Sequence, residues 1–121
     1  MRARVEIWTN SGEALESMNP ADRFMIGEWI RVYAGPADGS GAESFELLVC
    51  TPAWLAVEVV RTGPMVGRHL LIVEKWDATQ VRDKITELFT QENGKDWHDL
   101  AVRLSRLGFW EFEDFQAWQG H

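Results

Sequence analysis

The sequence predicts an α+β domain in which a mainly antiparallel sheet of four or five strands carries two to three helices packed on one face. Three observations carry this prediction. Apolar and polar residues alternate with a period of two through most of the first half, the signature of half-buried strands. Apolar residues in the second half recur at three- and four-residue spacing behind helix-capping side chains. The chain has 121 residues, enough for one core that buries roughly two thirds of the unfolded surface and too few for a second full domain. One domain over residues 1–121 is expected.

The elements follow in order. In residues 3–9, Ala3, Val5 and Ile7 alternate with Arg4 and Glu6, which predicts a strand with Trp8 on its polar side. A polar stretch with Asn10, Gly12, Asn19 and Pro20 separates it from a second strand, residues 27–34, with Ile30 and Val32 on one face and Trp29, Arg31 and Tyr33 on the other. Residues 34–44 are rich in Gly, Ser, Pro and Asp and predict a long, mobile hairpin loop. Beyond it Phe45, Leu47 and Val49 alternate with Glu46, Leu48 and Cys50. Thr51 followed by Pro52 starts a helix to about Arg61, because threonine caps well and proline loses nothing at the first helical position. The sequence Thr62-Gly63-Pro64 ends it.

Residues 69–73, His-Leu-Leu-Ile-Val, predict a central strand covered on both faces. Asp77 followed by Gln80 resembles a capping box, and Val81, Ile85, Leu88 and Phe89 place one stripe on the core, with Gly94 as the stop. Asp96 caps a further helix in which Trp97, Leu100, Ala101, Leu104 and Leu107 keep the helical spacing up to Gly108. The closing segment alternates Phe109, Glu111 and Glu113 with Trp110, Phe112 and Asp114, which reads as an extended edge.

Composition narrows the function. With 45% apolar and 26% charged residues the chain is a soluble globular type, and no apolar run reaches the ~18 residues of a membrane span. The first ten residues are broken by Arg2, Arg4 and Glu6 and lack the core of a secretory signal, so the cytoplasm is the expected compartment. The net charge of −7 opposes nucleic-acid binding and favours a basic partner. Residues 1–60 hold four basic and nine acidic side chains, net −5, against eight and ten, net −2, in residues 61–121.

Enzyme and cofactor chemistry finds no pattern. His69, His98 and His121 lack zinc-ligand spacing. The turn Gly39-Ser40-Gly41 lacks the lysine and following helix of a phosphate cradle. Glu111, Glu113 and Asp114 read as a solvated edge or docking patch. Neither cofactor, metal nor catalytic residue is assigned. A small enzyme using Cys50 as nucleophile with His69 as base is the alternative, beside a self-associating structural module.

Taken together, Phe45, Val49-Cys50-Thr51-Pro52, Trp54-Leu55, Gly67-Arg68 with Leu70-Leu71-Ile72-Val73, Trp76-Asp77, Asp96-Trp97 and Trp110-Glu111-Phe112-Glu113-Asp114-Phe115 resemble, in order and spacing, the immunity protein 8 family of bacterial polymorphic toxin systems. The resemblance spans about residues 25 to 115 and finds no counterpart before residue 25. It implies a small cytoplasmic α+β protein that binds and neutralises a cognate toxin, and it brings no catalytic residues.

The seven tryptophans then become informative. Trp54, Trp76 and Trp97 stand at element starts and are assigned to packing. If the strands form one sheet, Trp8, Trp29, Arg31, Tyr33 and Glu46 lie together on the face turned away from the helices. Trp, Tyr and Arg are the side chains enriched at binding hot spots, so this reverse face is the expected toxin-binding surface. The rival is a second small core beneath residues 12–23 or the C-terminal segment. Trp110 and Trp118, flanking Glu111, Glu113 and Asp114, form a second interface candidate. The expected partner is a toxin with a basic contact surface, not nucleic acid or membrane, and an aromatic face of this kind also admits a homodimer.

Overall fold

The computed structural model describes residues 1–112. Strands Ala3–Thr9 (β1), Gly27–Pro36 (β2), Glu43–Cys50 (β3), Leu70–Ile72 (β4) and Phe109–Trp110 (β5) and helices Pro52–Thr62 (α1), Ala78–Thr90 (α2) and Trp97–Leu104 (α3) form an α+β fold around an open sheet. The strand order is β1-β2-β3-β4, and β5 shares the second edge of β3. The pairs β1–β2, β2–β3 and β3–β5 are antiparallel, and β4 is parallel to β3.

Alternation decides which residues enter the core. Ala3 and Ile7 of β1, Ile30, Val32 and Ala34 of β2, and Phe45, Leu47 and Val49 of β3 are buried on one face, with Val5 packed beside them. α2 lays Val81, Ile85 and Phe89 on that face, and α3 adds Leu100, Ala101 and Leu104. The rings of Phe45 and Phe89 meet edge to face with centroids 5.8 Å apart. Both caps form as the sequence predicts: Asp77 accepts from the Gln80 N–H at 3.1 Å and Asp96 from the Asp99 N–H at 2.8 Å. Trp76 is buried in this core and Trp97 packs against it.

Five expectations on the elements are corrected. The apolar run at residues 69–73 is not a central strand: β4 lies at the sheet edge and spans three residues, with Ile72 56% exposed. Its partner β3 divides that edge, giving Leu48 to Cys50 to β4 and Phe45 and Glu46 to β5. The hairpin loop is shorter than its composition suggests, because β2 and β3 run into it and leave residues 37–42. It is also held, since Arg4 donates to the carbonyls of Gly39 at 3.2 Å and Gly41 at 2.6 Å. Gly94 does not end α2, which stops at Thr90; it packs against Leu100 and its N–H donates to the Met1 carbonyl at 2.9 Å. α3 likewise ends at Leu104, before the predicted Gly108.

The fifth concerns one half of the rival reading, coverage of the reverse face by residues 12–23: beyond Gly12, which borders Trp8 and Tyr33, the segment turns to the helix side, with Leu15 fully buried in the main core and Glu16 paired with Arg82 of α2 at 2.8 Å. This segment leaves β1 through a tight turn in which Thr9 donates its N–H to Glu13 and accepts from the Gly12 N–H.

α1 forms over the predicted residues, capped by the buried Thr51, whose Oγ1 accepts from the Trp54 N–H and donates to the Phe24 carbonyl at 2.6 Å. None of its side chains is buried. Trp54 fixes its first turn by lying over Gly27, where any Cβ would fall inside the indole. Gly27 shares the alternation of Trp29 and Arg31, so this turn stands on the reverse side of the sheet.

Candidate functional site

Strand register brings the reverse-face residues into one row. Trp8 lies opposite Arg31, Arg31 opposite Glu46, and Glu46 opposite Phe109, so the row crosses four strands. Glu6, Tyr33 and Ser44 form the neighbouring row on one side. Trp29, Leu48 and Leu70 form the row on the other. All five residues expected on this face are therefore neighbours there, because a period of two leaves them no other face.

An ion pair lies at the centre. Arg31 donates from Nε and Nη2 to Oε1 of Glu46 at 3.1 and 2.7 Å, and from Nη2 to Asn10 at 3.2 Å. The Glu46 carboxylate, with Tyr33 contributing less, raises the Arg31 pKa above the ordinary guanidinium value. Both side chains are about one third exposed; in such a setting the pair contributes little to stability and mainly fixes the geometry of both groups.

Aromatic rings frame the pair. Trp8, Trp29 and Phe109 are 37%, 39% and 38% exposed. Phe109 lies 5.9 Å from Trp29 and 4.1 Å from the buried ring of His69 between centroids, and the Arg68 guanidinium stands 5.6 Å from its ring. Trp8, Thr9, Gly12, Arg31 and Tyr33 line a groove of about 240 Å³ at the β1 side. A larger hollow of about 420 Å³ along α2 is open and lined by polar and charged side chains, Asp77, Gln80 and Asp83 among them, and has no apolar anchor. At the other end of the face Leu48 and Cys50 are buried.

Phe109 is the member of this face that sequence reading missed. Its alternation with Trp110 was visible, but only the pairing of β5 with β3 reveals which ring faces outward. Trp110 takes the opposite side: its ring stacks toward Phe45 at 6.3 Å, packs on the core, and donates its indole N–H to Glu43 at 2.7 Å. Glu111 accepts the Ser44 N–H at 2.7 Å and thus clamps the end of β3. The structure therefore does not join these two to the reverse-face row. Glu113, Asp114 and Trp118 lie outside the described residues.

The nucleophile alternative fares differently. Cys50 is buried, and burial pushes its thiol pKa up, away from the lowered value that activates a nucleophile. Among the described residues no group of three or more His, Cys, Asp or Glu is placed to hold a metal ion. Cys50 is expected to resist alkylation at neutral pH in the folded protein and to react fully in denaturant. Stoichiometric labelling of the native chain would refute this.

Compared with known families, the chain matches the model of immunity protein 8 over residues 4–115. The chain belongs to the immunity protein 8 family. The match extends the resemblance noted in the sequence back to β1, so that Trp8 falls within the immunity protein 8 region together with Trp29, Arg31, Tyr33, Glu46 and Phe109. No curated protein and no solved structure matches this immunity protein. Membership gives the general function, immunity against a toxin. Among the described residues no helix is long and apolar enough to cross a membrane.

Proposed function

We propose that this immunity protein neutralises a cognate toxin of a bacterial polymorphic toxin system by binding it directly in the cytoplasm, without catalysis, and that the reverse-face row is the contact surface. The observation that carries this reading is the in-register row Trp8, Arg31, Glu46 and Phe109, with Trp29 and Tyr33 beside it, in which, among the described residues, the rings of Trp8, Trp29 and Phe109 are 37%, 39% and 38% exposed. A binding surface gains most from rigid aromatic anchors around a fixed polar centre. Arg31 and Glu46 supply that centre already ordered, so less side-chain entropy is lost on association. The net charge of −7 speeds encounter with a basic toxin surface and makes the association rate fall with salt.

The test begins with the gene adjacent to that of this chain: where it encodes a toxin C-terminal domain, that domain is the partner whose binding is measured. Trp29→Ala and Tyr33→Ala are each expected to weaken its binding by about 30-fold or more, the equivalent of about 2 kcal/mol. Their melting temperatures should stay close to the parent value, because neither ring belongs to the main core. A large fall in melting temperature with no specific binding defect would make this face a second core and sink the proposal. Absence of a toxin-like neighbour, together with failure to rescue growth, would reject the toxin reading itself.

A further inference from the structure

β1 and β4 are edge strands of different kinds. β1 carries Arg4 and Glu6 along its length, whereas β4 is Leu70-Leu71-Ile72, without a charge. The register with β3 decides which main-chain groups of β4 are used. The His69 carbonyl accepts from the Leu48 N–H and the Val73 N–H donates to the Cys50 carbonyl, both at 2.9 Å, and the parallel pairing of Leu48 with Leu70 and of Cys50 with Ile72 turns the groups of Leu71 the same way. The N–H and C=O of Leu70 and of Ile72 therefore point away from β3, and among the described residues nothing bonds them. A hollow of about 370 Å³ runs beside them, lined by Leu71, Ile72 and Val73 and by Gln80 and Lys84 of α2. An apolar edge of this kind is a template for another strand.

The sequence of the edge selects the occupant. In an antiparallel pair two residues exchange both bonds when their outward groups face each other. A second copy of β4, laid antiparallel about a two-fold axis at Leu71, sets Leu70 opposite Ile72 and Ile72 opposite Leu70, so the two outward N–H groups of each copy meet the two outward carbonyls of the other. Moving the axis to Leu70 would set Ile72 against Arg68, whose N–H is already bonded to Val66. Moving it to Ile72 would set Leu70 against the carboxylate of Glu74. With the axis at Leu71, Arg68 of each copy instead stands opposite Glu74 of the other, charge against opposite charge. The two Leu71 side chains, on the helix side with Val49, meet on the axis at the mouth of the hollow. Such self-complementarity is what a two-fold interface requires. We infer that β4 pairs antiparallel with β4 of a second copy about an axis at Leu71 and joins two sheets into one. This edge is separate from the aromatic row and does not depend on the toxin assignment.

So short an edge supports a weak dimer, half formed at a concentration between about 10 µM and about 1 mM. Sedimentation velocity over that range should show the 13.9 kDa chain moving toward twice its mass. Ile72→Pro should stay monomeric with a melting temperature close to the parent value, because the N–H it removes points away from β3. If the proline variant fails to fold, Ile72→Lys gives the same reading by placing a charge on the edge. Trp29→Ala should dimerise like the parent, which separates this edge from the aromatic face. Cross-linking reads the register: residues on the axis form a non-hydrogen-bonded pair with Cα atoms about 4.5 Å apart, within disulfide reach. Leu71→Cys should therefore oxidise to a covalent dimer, whereas Leu70→Cys and the parent, with its buried Cys50, should not. A parent that stays monomeric throughout the range overturns the inference, as does a dimer that survives in a folded Ile72 variant or a Leu70→Cys chain that cross-links as readily as Leu71→Cys.

Discussion

Phe45→Ala is expected to cost about 3–5 kcal/mol, the range for truncating a fully buried phenylalanine, and to come near the whole stability of a domain of this size. Phe45 has no exposed surface and touches three elements at once: its ring meets Phe89 of α2, stacks toward Trp110 of β5, and rises from the central strand β3. Truncation leaves a cavity where sheet and helix meet, and the fixed spacing of the β3 ladders on both sides prevents collapse into it. Urea unfolding followed by tryptophan fluorescence measures the loss. A shift below about 1 kcal/mol would show that the helices do not depend on this contact.

Gly94→Val is expected to cost about 3 kcal/mol, at the upper end for overpacking. A Cβ at Gly94 would lie 2.6 Å from the Leu100 nitrogen and 2.7 Å from its Cα. Those atoms are helix backbone, so the strain cannot be relieved by turning a side chain. α3 must move away, and Leu100, Ala101 and Leu104, all fully buried, move with it. Thermal unfolding of the variant should show the loss as a lower midpoint. Gly12→Ala gives a useful contrast, because no atom lies within 4 Å of its Cβ position and only its φ of 86° opposes the side chain.

Those two positions mark the limit of what sequence can reveal. Asp77 and Asp96 were readable as caps because a cap acts within four residues, and Ile30, Val32, Phe45 and Leu47 were readable as core because alternation is local. The same alternation placed Trp8, Trp29, Arg31, Tyr33 and Glu46 on one face before any pairing was known. What stayed hidden depends on contacts distant in the chain. Gly94 looked like a helix stop, yet its small size serves the approach of α3. The run at residues 69–73 looked doubly covered, yet β5 takes half of the edge it would need. Phe109 could join the candidate site only through the pairing of β5, a strand of two residues whose alternation does not say which ring faces outward. The boundaries of α1 were legible in Thr51-Pro52 and Thr62-Gly63-Pro64, but its valines gave no indication that they face solvent.

The turns at the two ends of β1 have a consequence for solubility. Because the Ala37 N–H donates to the Arg2 carbonyl, the even-numbered residues of β1 point their peptide groups toward β2 and the odd-numbered ones point outward. The outward groups of Thr9 are already bonded to Gly12 and Glu13, and the outward carbonyl of Met1 is bonded to Gly94. Among the described residues the outward groups of Ala3, Val5 and Ile7 are left for an incoming strand, and a longer one would collide with the turn at one end and the Gly94 loop at the other. The outer strand is thus blunted against the edge-to-edge stacking that begins amyloid growth.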